Sequence, residues 1–338
     1  MKQNKLFALV LSIALLLTSA FGVSAVGEEK NLNVVTTIFP VFDWVREVIG
    51  DHENVEITIL LDSGVDLHSY QPTAADVMKI ATCDVFVYVG GESDEWVEDA
   101  LEEAVNPDMI IVNLLEALGD GVKTEELVEG MEHEHDHDED DEDHGPDGDD
   151  HDHDDHDHEE EADEHIWLSL RNAQKLVPVI AGALEKADPD HTVVYHGHAD
   201  AYIEKLAELD ARYVAATENA AYSTVLFGDR FPFRYLADDY GLAYFAAFAG
   251  CSAETEASFQ TIVFLAQKVN ELHLPAVLTI EGTNHKIAET IIQTTNAKDQ
   301  KLLTLNSMQG VTAADVEAGV SYLGIMESNL KVLKEALN

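Results

Sequence analysis

From Asn31 onward, short apolar runs alternate with stretches whose apolar residues recur at helical spacing. Residues 33–38 are rich in β-branched side chains and predict a strand. Residues 41–49 carry Phe42, Val45, Val48 and Ile49 at helical spacing and end at Gly50. The pattern continues with a strand at 55–61, a helix capped by Thr73 and running through Ala81, and a strand at 84–89. A helix near 93–105 and a strand at 109–114 follow. Strands that are apolar along their whole length, alternating with helices, predict a parallel sheet covered on both faces. The same order resumes after residue 220, with strands at 224–227, 243–248, 276–280 and 301–305. Helices are predicted there at 233–240, 256–272, 286–295 and 313–337, and no sequence repeat links the two halves. Between them, 189–219 reads as one long helix. Pro189 stands near its start, where a missing N–H is harmless, and Tyr202, Leu206, Leu209 and Tyr213 form a packing stripe. The predicted fold is therefore α/β with two lobes, each a mainly parallel sheet flanked by helices, joined by a spine helix. The first lobe takes 31–130 and ends with 164–188, the linking helix is 189–219, and the second lobe is 220–338.

The N-terminus changes the compartment. Lys2 and Lys5 precede an apolar run at 6–17, and Val23-Ser24-Ala25 fits a cleavage site, so 1–25 is read as a signal peptide. The run is shorter than the roughly 20 residues needed to span a bilayer. No Cys lies near the cleavage point, so the expected product is exported without a lipid anchor, to the periplasm or the outer face of the cytoplasmic membrane. The remaining chain is 46% hydrophobic over the full sequence, enough for two cores. A formal net charge of −47 argues against a nucleic-acid partner, because phosphate binding requires clustered Lys and Arg, and points to cations. Cys83 and Cys251 fall in opposite halves and are expected to be unpaired, with Cys83 a small buried apolar residue.

Residues 131–163 form an acidic, histidine-rich tract, and 132–164 hold 21 acidic residues and eight histidines. Such a segment cannot bury enough apolar surface to offset its ordering entropy, and disorder is expected. The histidines are His133, His135, His137, His144, His151, His153, His156 and His158. Neutral imidazole suits Zn, Cu and Ni, whereas Ca and Mg prefer oxygen. The tract is therefore read as an auxiliary metal-collecting loop, with binding that fades below about pH 6 as the rings protonate.

Two histidines stand apart from it. His68 lies in G-V-D-L-H-S-Y-Q-P after the second predicted strand, and His165 in D-E-H-I-W-L-S-L where the tract ends. Open α/β sheets place ligands at the C-terminal ends of their strands. These segments resemble the G-x-D-P-H-S-Y-E-P and D-P-H-V-W-L-D-P motifs of the zinc/manganese receptors of ABC importers. The order of leader, first motif, His-rich insert, second motif, long helix and second lobe is also similar. The resemblance implies that His68 and His165 are first-lobe metal ligands. At the family's third position the chain reads L-F-G-D-R-F-P-F-R-Y-L, which puts Arg230 there; Arg cannot ligate, and Asp229 is the neighbouring candidate. At the fourth, I-E-G-T-N-H-K-I-A-E-T-I offers His285, with Glu281 as fallback. Glu254 and Glu256 are better read as helix-starting residues. Asp66 is a candidate to orient the His68 ring, or a solvated turn residue. Three His and one Asp would suit tetrahedral Zn²⁺, with Mn²⁺ expected to want more oxygen. By this resemblance the chain captures Zn²⁺ between its lobes and delivers it to a membrane permease, as a monomer. No H-E-x-x-H or nucleophile constellation suggests an enzyme. A Mn²⁺ receptor, or a stand-alone zinc buffer or chaperone, stays open as an alternative.

Overall fold

The structure, a computed structural model, describes residues 31–131, 161–252, 256–282 and 284–338. The predicted leader, Glu254 and all eight tract histidines lie outside the described residues.

The first lobe runs β1 (Leu32–Thr36), α1 (Phe39–Ile49), β2 (Val55–Ile59), α2 (Ala74–Thr82), β3 (Val85–Tyr88), α3 (Trp96–Glu102), β4 (Ile110–Asn113) and α4 (Leu114–Leu118). Its strands are all parallel, in the order β2-β1-β3-β4. Val85, Phe86 and Val87 are fully buried, as strands covered on both faces must be. Two helices follow, α5 (Leu170–Ala187) and α6 (Thr192–Glu218). The second lobe then runs β5 (Thr224–Phe231), α7 (Arg234–Asp239), β6 (Ala243–Ala249), α8 (Phe259–Leu272), β7 (Ala276–Ile280), α9 (Lys286–Thr294), β8 (Lys301–Leu305), α10 (Ala313–Glu317) and α11 (Tyr322–Ala336). Its order, β6-β5-β7-β8, is again all parallel and repeats the first. In each sheet the chain reverses its direction of winding beside the lobe's first strand, which opens a crevice at the strands' C-terminal ends.

Several local features differ from the pattern read along the chain. Helix α5 was not anticipated; Pro178 sits inside it, yet Leu170, Ala173, Leu176, Val177, Ile180 and Leu184 bury one helical face. The single helix expected at 313–337 is broken into α10 and α11, with Gly319 between them at φ +88°. Helix α8 begins after the Ser258 cap, whose hydroxyl accepts the Thr261 N–H, so Glu256 precedes the helix. Strand β5 extends past residue 227 through an irregularity, which puts Asp229 and Arg230 on a strand end. Residues 161–163, assigned to the tract, pair with 123–125: Glu125 N–H donates to Glu161 O at 2.8 Å and Asp163 N–H to Lys123 O at 2.8 Å.

The lobes share one core along α6, where Tyr202, Leu206, Leu209 and Tyr213 are at most 2% exposed. Each such burial contributes about 1.5–3 kcal/mol. The buried Asp43 carboxylate of α1 accepts the Tyr322 N–H of α11 at 2.8 Å, and Trp44 packs edge-on to Tyr322. Trp167 Nε1–H donates to Ser307 O at 2.9 Å, and Tyr322 O–H returns to Trp167 O at 2.7 Å. At the corner between α5 and α6, Asp188 accepts from His191 Nδ1 at 2.7 Å and Tyr195 O–H at 2.8 Å. Among the described residues no helix is long and apolar enough to cross a membrane.

Candidate metal centre

His68 is aimed by its own short turn. Asp66 caps the single 3₁₀ turn Leu67–Ser69, its carboxylate accepting the His68 N–H at 3.1 Å, while Leu67 plugs into the core. His165 is held more tightly. The buried Asp163 carboxylate takes both its main-chain N–H at 2.9 Å and its ring Nδ1 at 3.0 Å, and Ile166, Trp167 and Leu168 anchor the turn that follows. The pairing of 123–125 with 161–163 fixes Asp163 in turn.

The two rings meet with Nε2 to Nε2 at 3.2 Å. Asp163 fixes the His165 proton on Nδ1. His68 Nδ1 lies 2.7 Å from Ser93 Oγ and 3.5 Å from a Glu164 carboxylate oxygen. With the proton of each ring on Nδ1, both Nε2 atoms are left as electron-pair donors facing one crevice. Two nitrogens about 2.0–2.1 Å from one tetrahedral ion stand roughly 3.3 Å apart, so the spacing already fits a shared cation. Burial, and then the neighbouring His165, depress the His68 pKa strongly, which keeps its ring neutral and available as a donor.

Carboxylates back this pair. Glu164 accepts the Ser93 N–H at 2.8 Å, and burial raises its pKa. Gly91, at φ +86°, lets the chain pass within reach of Glu164, where a Cβ would come to 2.4 Å of the carboxylate. Asp94 accepts the Gly90 and Val89 N–H groups at 2.9 and 3.1 Å; burial pushes it up to about 7.

The expected residues divide into two groups. His68 and His165 come together; Asp229 and His285 do not join them within 4.8 Å. The latter two line a neighbouring cavity of about 530 Å³ between the turn holding Gly64 and Asp66 and the strand ends holding Arg230 and Glu281. Asp229 accepts the Ile280 N–H at 3.2 Å and the Arg230 N–H at 3.0 Å. His285 caps α9 at φ +55°. Glu281 organises the loop after β8, accepting from Ser307 N at 2.7 Å, Ser307 Oγ at 2.8 Å and Gly310 N at 3.4 Å. Asp66 does not orient the His68 ring: its carboxylate holds the His68 main chain and pairs with Arg230 across the lobes, and Ser93 and Glu164 meet the ring instead. Burial would raise the Asp66 carboxyl, but the Arg230 guanidinium over-rides it and holds the group below the usual carboxylate range.

Sequence reasoning missed Ser93, Asp163 and Glu164, and considered Cys251 only for a disulfide. The thiol of Cys251 gathers with the ring nitrogens of His68 and His165, all within 4.8 Å of one another. Both cysteines are free. Cys251 follows β6, and position at the C-terminal end of a parallel strand was a signal that could have found it.

Residues 34–336 match the family model of ZnuA, the zinc-uptake complex component A, periplasmic. The chain belongs to this family. The zinc-binding lipoprotein AdcA of Streptococcus pneumoniae is 32% identical over 307 residues, which cover 91% of this chain and 56% of AdcA. The chain thus spans little more than half the length of that relative. The high-affinity zinc uptake system protein ZnuA of Bacillus subtilis is 31% identical over 314 residues, covering 93% of this chain and 90% of that protein. The crystal structure of the Zn(II)-bound ZnuA-like domain of S. pneumoniae AdcA superposes with a TM-score of 0.67 at 28% identity, covering 91% of this chain and 99% of that one. Membership in the ZnuA family agrees with the two motifs, and the two-lobe architecture is that of the ZnuA-like domain.

Proposed function

We propose that this chain is an exported zinc receptor that captures Zn²⁺ through His68 and His165 between its lobes and delivers it to the permease of an ABC importer. The observation that carries this reading is the convergence of two carboxylate-backed imidazoles with their Nε2 atoms 3.2 Å apart. A shared cation would satisfy both ring nitrogens at that spacing. The relatives named for zinc binding and zinc uptake support zinc as the cargo. Asp229 and His285 are assigned to the wall of the adjoining cavity, where they attract the hydrated ion. The interlocked base restricts uptake and release to local rearrangement of the crevice loops rather than wide opening. The tract histidines collect zinc beside the site, since the tract ends next to His165. A leader at 1–25, a monomeric state and the absence of enzymatic activity belong to the same reading.

Competition titration of the full chain against a zinc-chelating dye tests it. One tight equivalent is expected in the parent, lost in His68→Ala and in His165→Ala, and kept in Asp229→Ala and His285→Ala. A tight equivalent that survives both His68→Ala and His165→Ala removes the site. Zinc uptake by a reconstituted importer that does not depend on added receptor removes the delivery role.

A further inference from the structure

We infer that Cys251 supplies a thiolate as third ligand to the ion held by His68 and His165, giving a sulfur-containing centre that favours Zn²⁺ over Mn²⁺. This rests on the zinc-receptor reading and specifies its chemistry. Three donor atoms from three separate segments converge here, and Cys251 is the second-lobe member of the set. Gly250 makes the approach possible: a Cβ there would lie 2.9 Å from Phe231 O and 3.2 Å from His165 Cε1, so only glycine lets the strand end lie against the imidazole. The Cys251 N–H donates to a Glu125 carboxylate oxygen at 2.9 Å, and Glu125 belongs to the stretch paired with 161–163. One continuous set of hydrogen bonds therefore positions both Cys251 and the Asp163 that orients His165.

The donor count has room for such a ligand, since two imidazoles fill only two positions of a tetrahedral ion. Arg230 occupies the place that the family resemblance gives to a second-lobe ligand, and it is paired with Asp66 next to His68. Asp66 answers that guanidinium, and Asp163 and Glu164 meet the two imidazoles at their Nδ1 atoms, on the side away from Nε2. A thiolate adds one negative charge directly on the ion. As the metal–sulfur bond forms, the thiol S–H bond breaks and its proton passes to water. Zn²⁺ accepts thiolate and imidazole together, whereas Mn²⁺ prefers oxygen donors.

Cobalt(II) is the probe, because a thiolate bound to Co²⁺ gives an intense near-ultraviolet charge-transfer band that imidazole and carboxylate do not. The full chain is titrated with one equivalent of Co²⁺ as parent, Cys83→Ser and Cys251→Ser, with zinc affinity measured on the same preparations. The band is expected in the parent and in Cys83→Ser and absent from Cys251→Ser. Zinc affinity should fall ~10-fold or more in Cys251→Ser while manganese binding changes little, narrowing the preference by the same factor. Iodoacetamide alkylation gives a second reading without any variant. Cys83 is 1% exposed and should stay unmodified, while Zn²⁺ should protect Cys251. A parent without the band, a Cys251→Ser protein that keeps it, or zinc that leaves alkylation of Cys251 unchanged overturns the inference. If the parent still holds a tight zinc that His68→Ala abolishes, the receptor reading stands and only sulfur ligation falls.

Discussion

Asp163→Ala tests whether the imidazole pair is held ready for metal. In the native chain this carboxylate, 2% exposed, accepts two hydrogen bonds on one oxygen, from the His165 amide at 2.9 Å and from its ring Nδ1 at 3.0 Å. Alanine removes both acceptors and frees the ring to exchange its tautomer and to rotate. Outer partners of metal-bound histidines carry about 10–100-fold in affinity, or about 1.4–2.7 kcal/mol. A hydrogen bond to a charged group contributes about 1.5–3 kcal/mol, which reaches the same range independently. The two N–H groups left buried also lower folding stability by about 1–3 kcal/mol each, so circular dichroism must first establish that the variant is folded. Zinc affinity is then read by dye competition at pH 7.5 on parent and variant. An affinity within twofold of the parent would refute the claim that Asp163 organises the site.

Asp43 gives a pH test of the joint between the lobes. Burial, against the Tyr322 N–H and Arg46, raises its carboxyl from 3.8 to about 6, so its favourable contribution is complete below pH 3.8 and is lost as pH rises through about 6. At 1.36 kcal/mol per pH unit the loss is about 3 kcal/mol. Asp43→Asn cannot ionise, so denaturant unfolding at pH 4 and pH 7 should show the variant gaining on the parent by about that amount; a gap independent of pH contradicts the argument. Gly91→Ala should cost about 1–3 kcal/mol for its positive φ and should weaken zinc binding as Glu164 is displaced from Ser93. Unchanged melting temperature and affinity would show that the Glu164 contact is dispensable. Trp167→Phe removes the bond to Ser307 O and should lower stability by about 1–3 kcal/mol with the crevice intact; a loss of metal binding equal to that of His165→Ala would instead place Trp167 at the site.

Much of the architecture was legible along the chain. Apolar runs marked the eight strands of the described residues, most clearly β3 and β7, which are buried along nearly their whole length and carry hardly a polar position. The stripe of Tyr202, Leu206, Leu209 and Tyr213 marked the spine helix. Helix α5 escaped notice because Pro178 interrupts a pattern that tertiary packing nonetheless keeps helical. The break between α10 and α11 was hidden because apolar spacing continues on either side of Gly319.

The site was legible only in its two motifs. His68 and His165 could be named because each carries a distinctive local sequence, although 97 residues separate them. The proposed second-lobe donors were a different matter. Asp229 and His285 were chosen by alignment of short segments; both line the cavity beside the imidazole pair, outside the group of donor atoms that lie within 4.8 Å of one another. Cys251 has no local pattern that speaks of metal, and its approach to His165 depends on Gly250 lying against the ring.

By itself, the amino-acid sequence determined periodicity, burial and the chemistry each segment brings, since these depend on neighbours within a few turns of chain. Only the tertiary structure decided that Asp66 answers Arg230 instead of a histidine ring, and that Asp163, His165, His68 and Cys251 share one crevice. The reason is that strand order and loop packing choose which strand ends meet. That choice is made by the whole core at once, not by any single segment.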